Sequence, residues 1–297
     1  MKRMRVVLLA LLTVCLSALL FSCAGAPEGV EAESEVAAKK TVKKEQSKYK
    51  EVREKIQLVE KKSFYYPDGV LDRYRIFTYP EGKLTLLKEN LFNSEDELQE
   101  RISYEYNEGV CSSKSSFDAE GKPVSVHRYA YDGDGNLIED TLYDGDEEVQ
   151  SISKYEYDDA GRKTKWSIHE GGGALLAYTV YSYENGLNTK IENFSPGGEL
   201  DDYFIIEYGN NGQKKKETWY KGSGEIEEYR LYSYEEGALT EETVHRKNNS
   251  VKLKIRFRNN EMGNPEKTVY MDGGDTVREQ VAFEYIERTR MRKVQVE

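Results

Sequence analysis

Glu97-Leu98-Gln99-Glu100-Arg101-Ile102-Ser103-Tyr104-Glu105-Tyr106 is the stretch on which the fold turns. Leu98, Ile102, Tyr104 and Tyr106 share one parity; Gln99, Arg101, Ser103 and Glu105 share the other. Successive side chains of a strand point to opposite faces, so this is the pattern of an amphipathic strand. Asn107-Glu108-Gly109 follows it, and glycine supplies the positive φ that a tight hairpin needs. Val251, Leu253, Ile255 and Phe257, set against Lys252, Lys254, Arg256 and Arg258, repeat the alternation near the C-terminus.

Outward from Tyr106 the pattern recurs. An aromatic anchor returns at Tyr79, Tyr106, Tyr131, Tyr157, Tyr183, Tyr208, Tyr234, Phe257 and Tyr285, at intervals of 27, 25, 26, 26, 25, 26, 23 and 28. Two residues before each stands Phe77, Tyr104, Tyr129, Tyr155, Tyr181, Ile206, Tyr232, Ile255 or Phe283. Eleven residues after the anchor an apolar side chain returns at Phe117, Leu142, Ile168, Phe194 and Trp219, and His245 takes that place in the next copy. A fixed period of this length means one supersecondary unit, copied and stacked. From about Glu51 onward, turn signals such as Asp144-Gly145-Asp146 and Pro196-Gly197-Gly198 fall every 11 to 14 residues. Seventeen turns separate 18 segments of about 8 to 10 residues, a length that suits strands.

The expected fold is therefore all-β, a long antiparallel meander of about 18 strands built from nine two-strand repeats of about 26 residues. Large sheets coil, so the meander is expected to curl into a single-layer trough or open spiral, with its two ends far apart. The anchors are assigned a structural role, as a ladder on one face with rungs about 9.5 Å apart. Tyr178, Tyr203 and Tyr229 stand five residues before three successive anchors, with parity that places them across the sheet. They are the candidate ligand-binding residues.

The N-terminus has another character. Lys2, Arg3 and Arg5 precede a short uncharged apolar run, Val6 to Leu20, and then Leu20-Phe21-Ser22-Cys23. This is the layout of a signal peptide. It resembles the bacterial lipoprotein type, in which a leucine and a small residue before a cysteine mark the cut. That resemblance implies acylation of Cys23, with Cys23 as the new N-terminus. A cut after Ala24-Gly25-Ala26 would instead give a plainly secreted chain, and an apolar run of 15 to 17 residues falls short of the roughly 20 a membrane helix needs. The expected organisation is signal peptide 1–22, lipidated N-terminus and flexible tether 23–50 (with a frayed helix near Val36–Lys55), and β-repeat domain 51–297.

The formal charge is −11, and loss of the signal peptide makes the mature chain more acidic. That balance argues against a nucleic-acid partner and against electrostatic binding to anionic lipid. Cys111 is the one cysteine left after Cys15 and Cys23, so no intramolecular disulfide is expected; a half-buried strand position suits it.

Two copies carry a recognisable motif. Tyr155-Glu156-Tyr157-Asp158-Asp159-Ala160-Gly161-Arg162 and Tyr129-Ala130-Tyr131-Asp132-Gly133-Asp134-Gly135-Asn136-Leu137 resemble the tyrosine–aspartate repeats of the RHS family. Members of that family build spiral β-sheets that form shells around toxin polypeptides or serve as adhesive stalks. What the resemblance implies here is the strand–turn–strand unit over residues 56–285, about 230 residues being short for a closed shell. The glycine-bearing hairpins are also similar to MORN-like repeats.

Chemistry is sparse. His127, His169 and His245 have no metal-type spacing. Asp132, Asp134 and Asn136 mimic the start of a calcium loop, but Leu137 stands where glycine is required and Tyr143 where the acidic twelfth ligand is. No phosphate loop or nucleophile elbow is present, and no carboxylate pair stands out for glycoside hydrolysis. The expectation is a non-catalytic cell-envelope lipoprotein, without cofactor or metal, whose scaffold binds a protein or glycan. The alternatives are a purely structural envelope spacer or assembly factor and, behind it, a carbohydrate-active enzyme.

Overall fold

The computed structural model describes residues 49–295. The strands are β1 (Tyr49–Tyr65), β2 (Leu71–Thr78), β3 (Lys88–Asn93), β4 (Leu98–Asn107), β5 (Val110–Asp118), β6 (Pro123–Tyr131), β7 (Leu137–Asp144), β8 (Val149–Tyr157) and β9 (Lys163–Glu170), followed by β10 (Leu175–Glu184), β11 (Leu187–Phe194), β12 (Leu200–Tyr208), β13 (Lys214–Lys221), β14 (Ile226–Glu235), β15 (Ala238–Arg246), β16 (Val251–Asn259), β17 (Pro265–Asp272) and β18 (Val277–Gln295). Each pairs antiparallel with its sequence neighbours. The strand count and the meander agree with the turn spacing.

The closure does not. β1 pairs with β18 from Tyr49↔Gln295 to Tyr65↔Gln280, so the sheet is a closed 18-stranded barrel. The open trough or spiral and the distant termini are both corrected. Two physical causes act together. A free sheet edge carries a row of unpaired backbone groups, and closure removes it. Almost every strand pair also contains a register shift, at Glu105/Tyr106, Ala130/Tyr131 and Glu156/Tyr157 among others. Bulges add twist and curl, and a shift repeated around the wall brings edge to edge. The expected helix near Val36–Lys55 is corrected where it can be seen: Tyr49 to Lys55 are strand, because β18 pairs with them. The signal peptide, Cys23 and the rest of the tether lie outside the described residues.

The anchors have a specific task. Six anchor hydroxyls donate to the carbonyl 20 residues earlier: Tyr106 to Leu86 (2.8 Å), Tyr131 to Cys111 (2.7 Å), Tyr157 to Leu137 (2.8 Å), Tyr183 to Lys163 (2.8 Å), Tyr208 to Asn188 (2.8 Å) and Tyr285 to Pro265 (2.7 Å). Tyr79 does the same to Val59 at 3.1 Å. The bond clasps the open end between one hairpin and the next. In the eighth copy the donor is Asn259 Nδ2, to the Leu239 carbonyl at 2.8 Å. Asn259, not Phe257, is therefore the anchor there, and the irregular intervals of 23 and 28 become 25 and 26. Phe257 misleads because it lies two residues away on the same face. Cys111 is more buried than expected, at 1% exposed, beneath its clasp.

Cross-strand pairing sorts the side chains onto two faces. The anchor face carries Phe77, Ile102, Ile168, Ile206, Val244, Ile255 and Val281, all buried. The opposite face carries exposed Glu105, Arg128, Lys154, Glu156, Glu207 and Arg256. Because the anchor face carries most of the buried apolar side chains, we assign it to the lumen and the opposite face to the outside. The hydrogen bonds, ion pairs and ring contacts described here join strands one or two apart in the wall, and none crosses the barrel. A circular wall of 18 strands is about 30–35 Å across, wide enough to hold water.

Candidate functional site

Tyr178, Tyr203 and Tyr229 lie on the outer face, across the wall from the anchors, as their parity requires. Each is stacked on an aromatic ring of the next strand. Tyr178 meets Phe194 at 4.8 Å, Tyr203 meets Tyr220 at 4.7 Å, and Tyr229 meets His245 at 4.7 Å, with interplanar angles of 9° or less. The other ring face is covered from the preceding strand: Lys165 lies 5.2 Å from the Tyr178 ring, Lys190 5.3 Å from Tyr203, and Lys216 5.1 Å from Tyr229. Stacking parallel to the hydrogen-bond direction stands the rings on edge. Both faces are occupied, and edges and hydroxyls remain for solvent. The Tyr229 hydroxyl bonds Asn249 Oδ1 at 3.1 Å.

Phe194, Tyr220 and His245 were not separable in sequence, because the apolar residue eleven after the anchor is not one structural position. Phe117, Phe194 and His245 face outward, but Leu142, Ile168 and Trp219 face the lumen. The first three follow two-residue turns with positive φ at Glu108-Gly109, Asn185-Gly186 and Glu236-Gly237. The others follow longer turns, and the displaced register puts the next residue, Tyr143, His169 or Tyr220, on the outside. A one-residue slip exchanges the faces. Turn length was the signal that could have found this.

The lumen is polar and aromatic together. Tyr104, Tyr129, Tyr155, Tyr181, Tyr232, Phe257, Phe283 and Phe77 form an internal girdle two residues from the anchors. Charged groups sit among them. Arg75 bonds Glu89 at 2.6 Å and Glu100 at 2.7 Å, and the Tyr104 hydroxyl also bonds Glu89. Arg230 bonds Glu242 at 2.9 Å, and His127 meets Asp140 at 2.8 Å. Thr179 donates to Asn193, which donates to Asp202 at 2.6 Å. Burial pushes the Glu242 and Asp202 carboxyls up, although Arg230 and Asn193 respectively pull them down. Burial, then neighbouring Arg75, pushes the Lys62 ammonium down. Burial holds the Tyr79 and Tyr285 hydroxyls up at about 12. A cavity of about 620 Å³ opens at the anchor rim, lined by Gln213, Lys214, Tyr232 and Tyr234 among others. These groups are spread around the wall. Among the described residues no cluster of His, Cys, Asp or Glu could hold a metal ion. Asp132 is engaged in turn chemistry: its carboxylate accepts from the backbone of Asp134 and Asn136, and from the Asn136 side chain. Asp158 does the same with Ala160 and Arg162, which explains the aspartate of the repeat motif.

No protein family and no curated protein matches the chain. Solved structures do. A porin-like protein from Bacteroides uniformis is 10% identical, with a TM-score of 0.43 over 77% of this chain and 98% of that one. A porin-like protein from Bacteroides vulgatus is 8% identical, with a TM-score of 0.25 over 78% and 99%. TcdB2–TccC3 is 14% identical, with a TM-score of 0.28 over 76% of this chain and 15% of that one. The barrel is a β-repeat protein of nine copies.

Its outer face differs from that of a membrane-spanning barrel. Such a barrel presents an apolar band about 25 Å tall, and a charge on it costs about 2–4 kcal/mol at the midplane. Here Lys154–Glu139 (3.8 Å), Lys165–Glu156 (3.4 Å), Lys216–Glu207 (3.8 Å) and Arg256–Glu241 (2.8 Å) lie along the outer wall. Among the described residues no helix is long and apolar enough to cross a membrane.

Proposed function

We propose that this is a non-catalytic lipoprotein of the bacterial cell envelope, anchored through Cys23, whose tyrosine–aspartate repeat barrel is a binding scaffold for an envelope partner. The observation that carries the reading is the charged outer wall with its stacked ladder at Tyr178, Tyr203 and Tyr229. A wall of that kind belongs in water, so attachment falls to the N-terminus, where the lipoprotein-like Leu20-Phe21-Ser22-Cys23 stands. The covered ring faces favour a protein partner over a glycan, because sugars pack on ring faces while edges and hydroxyls suit polar protein contacts.

Two measurements test it. The mass of the mature N-terminus reports the anchor: a diacylated or triacylated Cys23 is expected, and an unmodified chain beginning at Pro27 refutes it. Capture from envelope extracts, comparing the native chain with Tyr203→Ala, reports the scaffold. Loss of one specific protein with the folded variant supports binding. If no partner depends on the ladder, the structural-spacer alternative stands.

A further inference from the structure

Residues 49–58 and 286–295 pair with each other and with no other strand. They form a two-stranded ribbon that continues β1 and β18 past the anchor rim, about 30 Å long at 3.3 Å per residue. Its base is braced: Asn260 and Asn264 both donate to Gln57 Oε1, at 2.7 and 2.9 Å, and Tyr79 donates to the Val59 carbonyl.

The ribbon's charge opposes that of the barrel. Residues 59–285 contain 28 Lys and Arg against 45 Asp and Glu, a net of −17. The ribbon contains Lys50, Arg53, Lys55, Arg288, Arg290, Arg292 and Lys293 against Glu51, Glu54 and Glu287, a net of +4. Arg290 and Arg292 share one carboxylate, Glu54, at 2.7 and 4.0 Å. The chain leading into β1 adds Lys39, Lys40, Lys43, Lys44 and Lys48 against Glu45. The far end of the ribbon also exposes apolar surface: Tyr49 is 52% exposed, Met291 56% and Val294 40%.

We propose that this ribbon is a membrane-surface contact, its far end set among anionic phospholipid headgroups so that the acidic barrel stands off with its anchor rim toward the bilayer. Basic side chains beside an anionic surface gain about 1 kcal/mol each, and a tyrosine at the tip suits the headgroup level. The barrel's negative charge does not cancel this attraction. The ribbon's length is several times the Debye length of about 8 Å, so the wall is screened from the surface while the tip touches it. Net charge alone is a poor guide to lipid binding in such a chain, because its two signs are segregated. The inference deepens the lipoprotein reading, and the experiment below keeps the two separable.

The mature chain from residue 23, carrying Cys23→Ser so that no acyl group is present, is mixed with vesicles of phosphatidylcholine alone or of phosphatidylcholine with phosphatidylglycerol. Binding to the mixed vesicles alone, released by salt, is expected. Lys50→Gln, Arg53→Gln and Lys293→Gln together should weaken it by roughly a hundredfold, about fivefold per cation, with the unfolding midpoint unchanged. Arg128→Gln, Lys154→Gln and Lys247→Gln make the same charge change on the barrel and should leave binding intact. Equal binding to both vesicle types, or equal losses from the two triple variants, overturns the proposal. So does a salt-sensitive oligomer that needs the ribbon cations without any vesicle binding, since the ribbon would then dock on the acidic wall of a second copy. The mass of the native N-terminus is measured separately, so an unmodified Cys23 removes the lipoprotein reading and leaves this result standing.

Discussion

At the scale of single residues, the anchor tyrosine is a clasp as well as a packing group. Tyr157→Phe keeps the ring but takes the donor from the Leu137 carbonyl, at an expected cost of about 1–2 kcal/mol. Tyr157→Ala removes the ring as well and should cost about 3–5 kcal/mol. Asn259→Ala tests the reassigned anchor: a loss comparable to Tyr157→Phe in urea unfolding is expected, whereas Asn259→Tyr should be tolerated. Asp202 makes a pH prediction. Its carboxyl is pushed above its ordinary 3.8 by burial, so ionisation costs more in the folded state than in the unfolded one. A group raised in this way adds stability that is present at low pH and lost as pH rises through its folded value. Asp202→Asn can still accept from Asn193 without ionising. The variant should therefore be at least as stable as the native chain at neutral pH, with the advantage vanishing as pH falls below the carboxylate range. Melting curves across pH check this, and a variant that loses stability most at neutral pH contradicts it.

At the scale of the element, the hairpin decides which face a side chain reaches. Gly222 shows how tight the longer turns are: a Cβ there would lie 2.0 Å from the Leu200 carbonyl oxygen, and its amide donates to Asp201 at 2.7 Å. Gly222→Ala must move backbone rather than a flexible side chain. A clear fall in unfolding midpoint is expected, larger than for Gly172→Ala, where nothing lies within 4 Å. The same logic separates what the sequence could show of the ladder from what it could not. Tyr178, Tyr203 and Tyr229 share an offset from their anchors within one strand, and strand parity is strict. Their partners Phe194, Tyr220 and His245 lie beyond a turn, where one residue more or less exchanges inside for outside.

At the scale of the whole molecule, closure makes the repeats equivalent. An open array frays at its ends, but a ring has none. Tyr285→Ala, beside the seam, should therefore cost as much as Tyr157→Ala. The seam is also directly testable. Lys55 and Thr289 are cross-strand partners, so Lys55→Cys with Thr289→Cys should form an intrachain disulfide under mild oxidation. If these cysteines stay reduced while a control pair within one hairpin, such as residues 179 and 193, is oxidised, β1 and β18 are apart and the sheet is open.

What the sequence determined by itself is local. Strand length, turn placement, strand parity and the identity of all but one anchor follow from periods of two and about 26, because backbone geometry imposes the first and gene-level copying leaves the second. The tertiary structure decided three things. It closed the ring, since the pairing of β1 with β18 joins residues more than 200 positions apart and leaves no periodic trace. It assigned inside and outside, since both faces carry tyrosine and only curvature makes one of them a lumen. It gathered the basic residues of both chain ends into one ribbon, so that a chain acidic on average carries a positive tip.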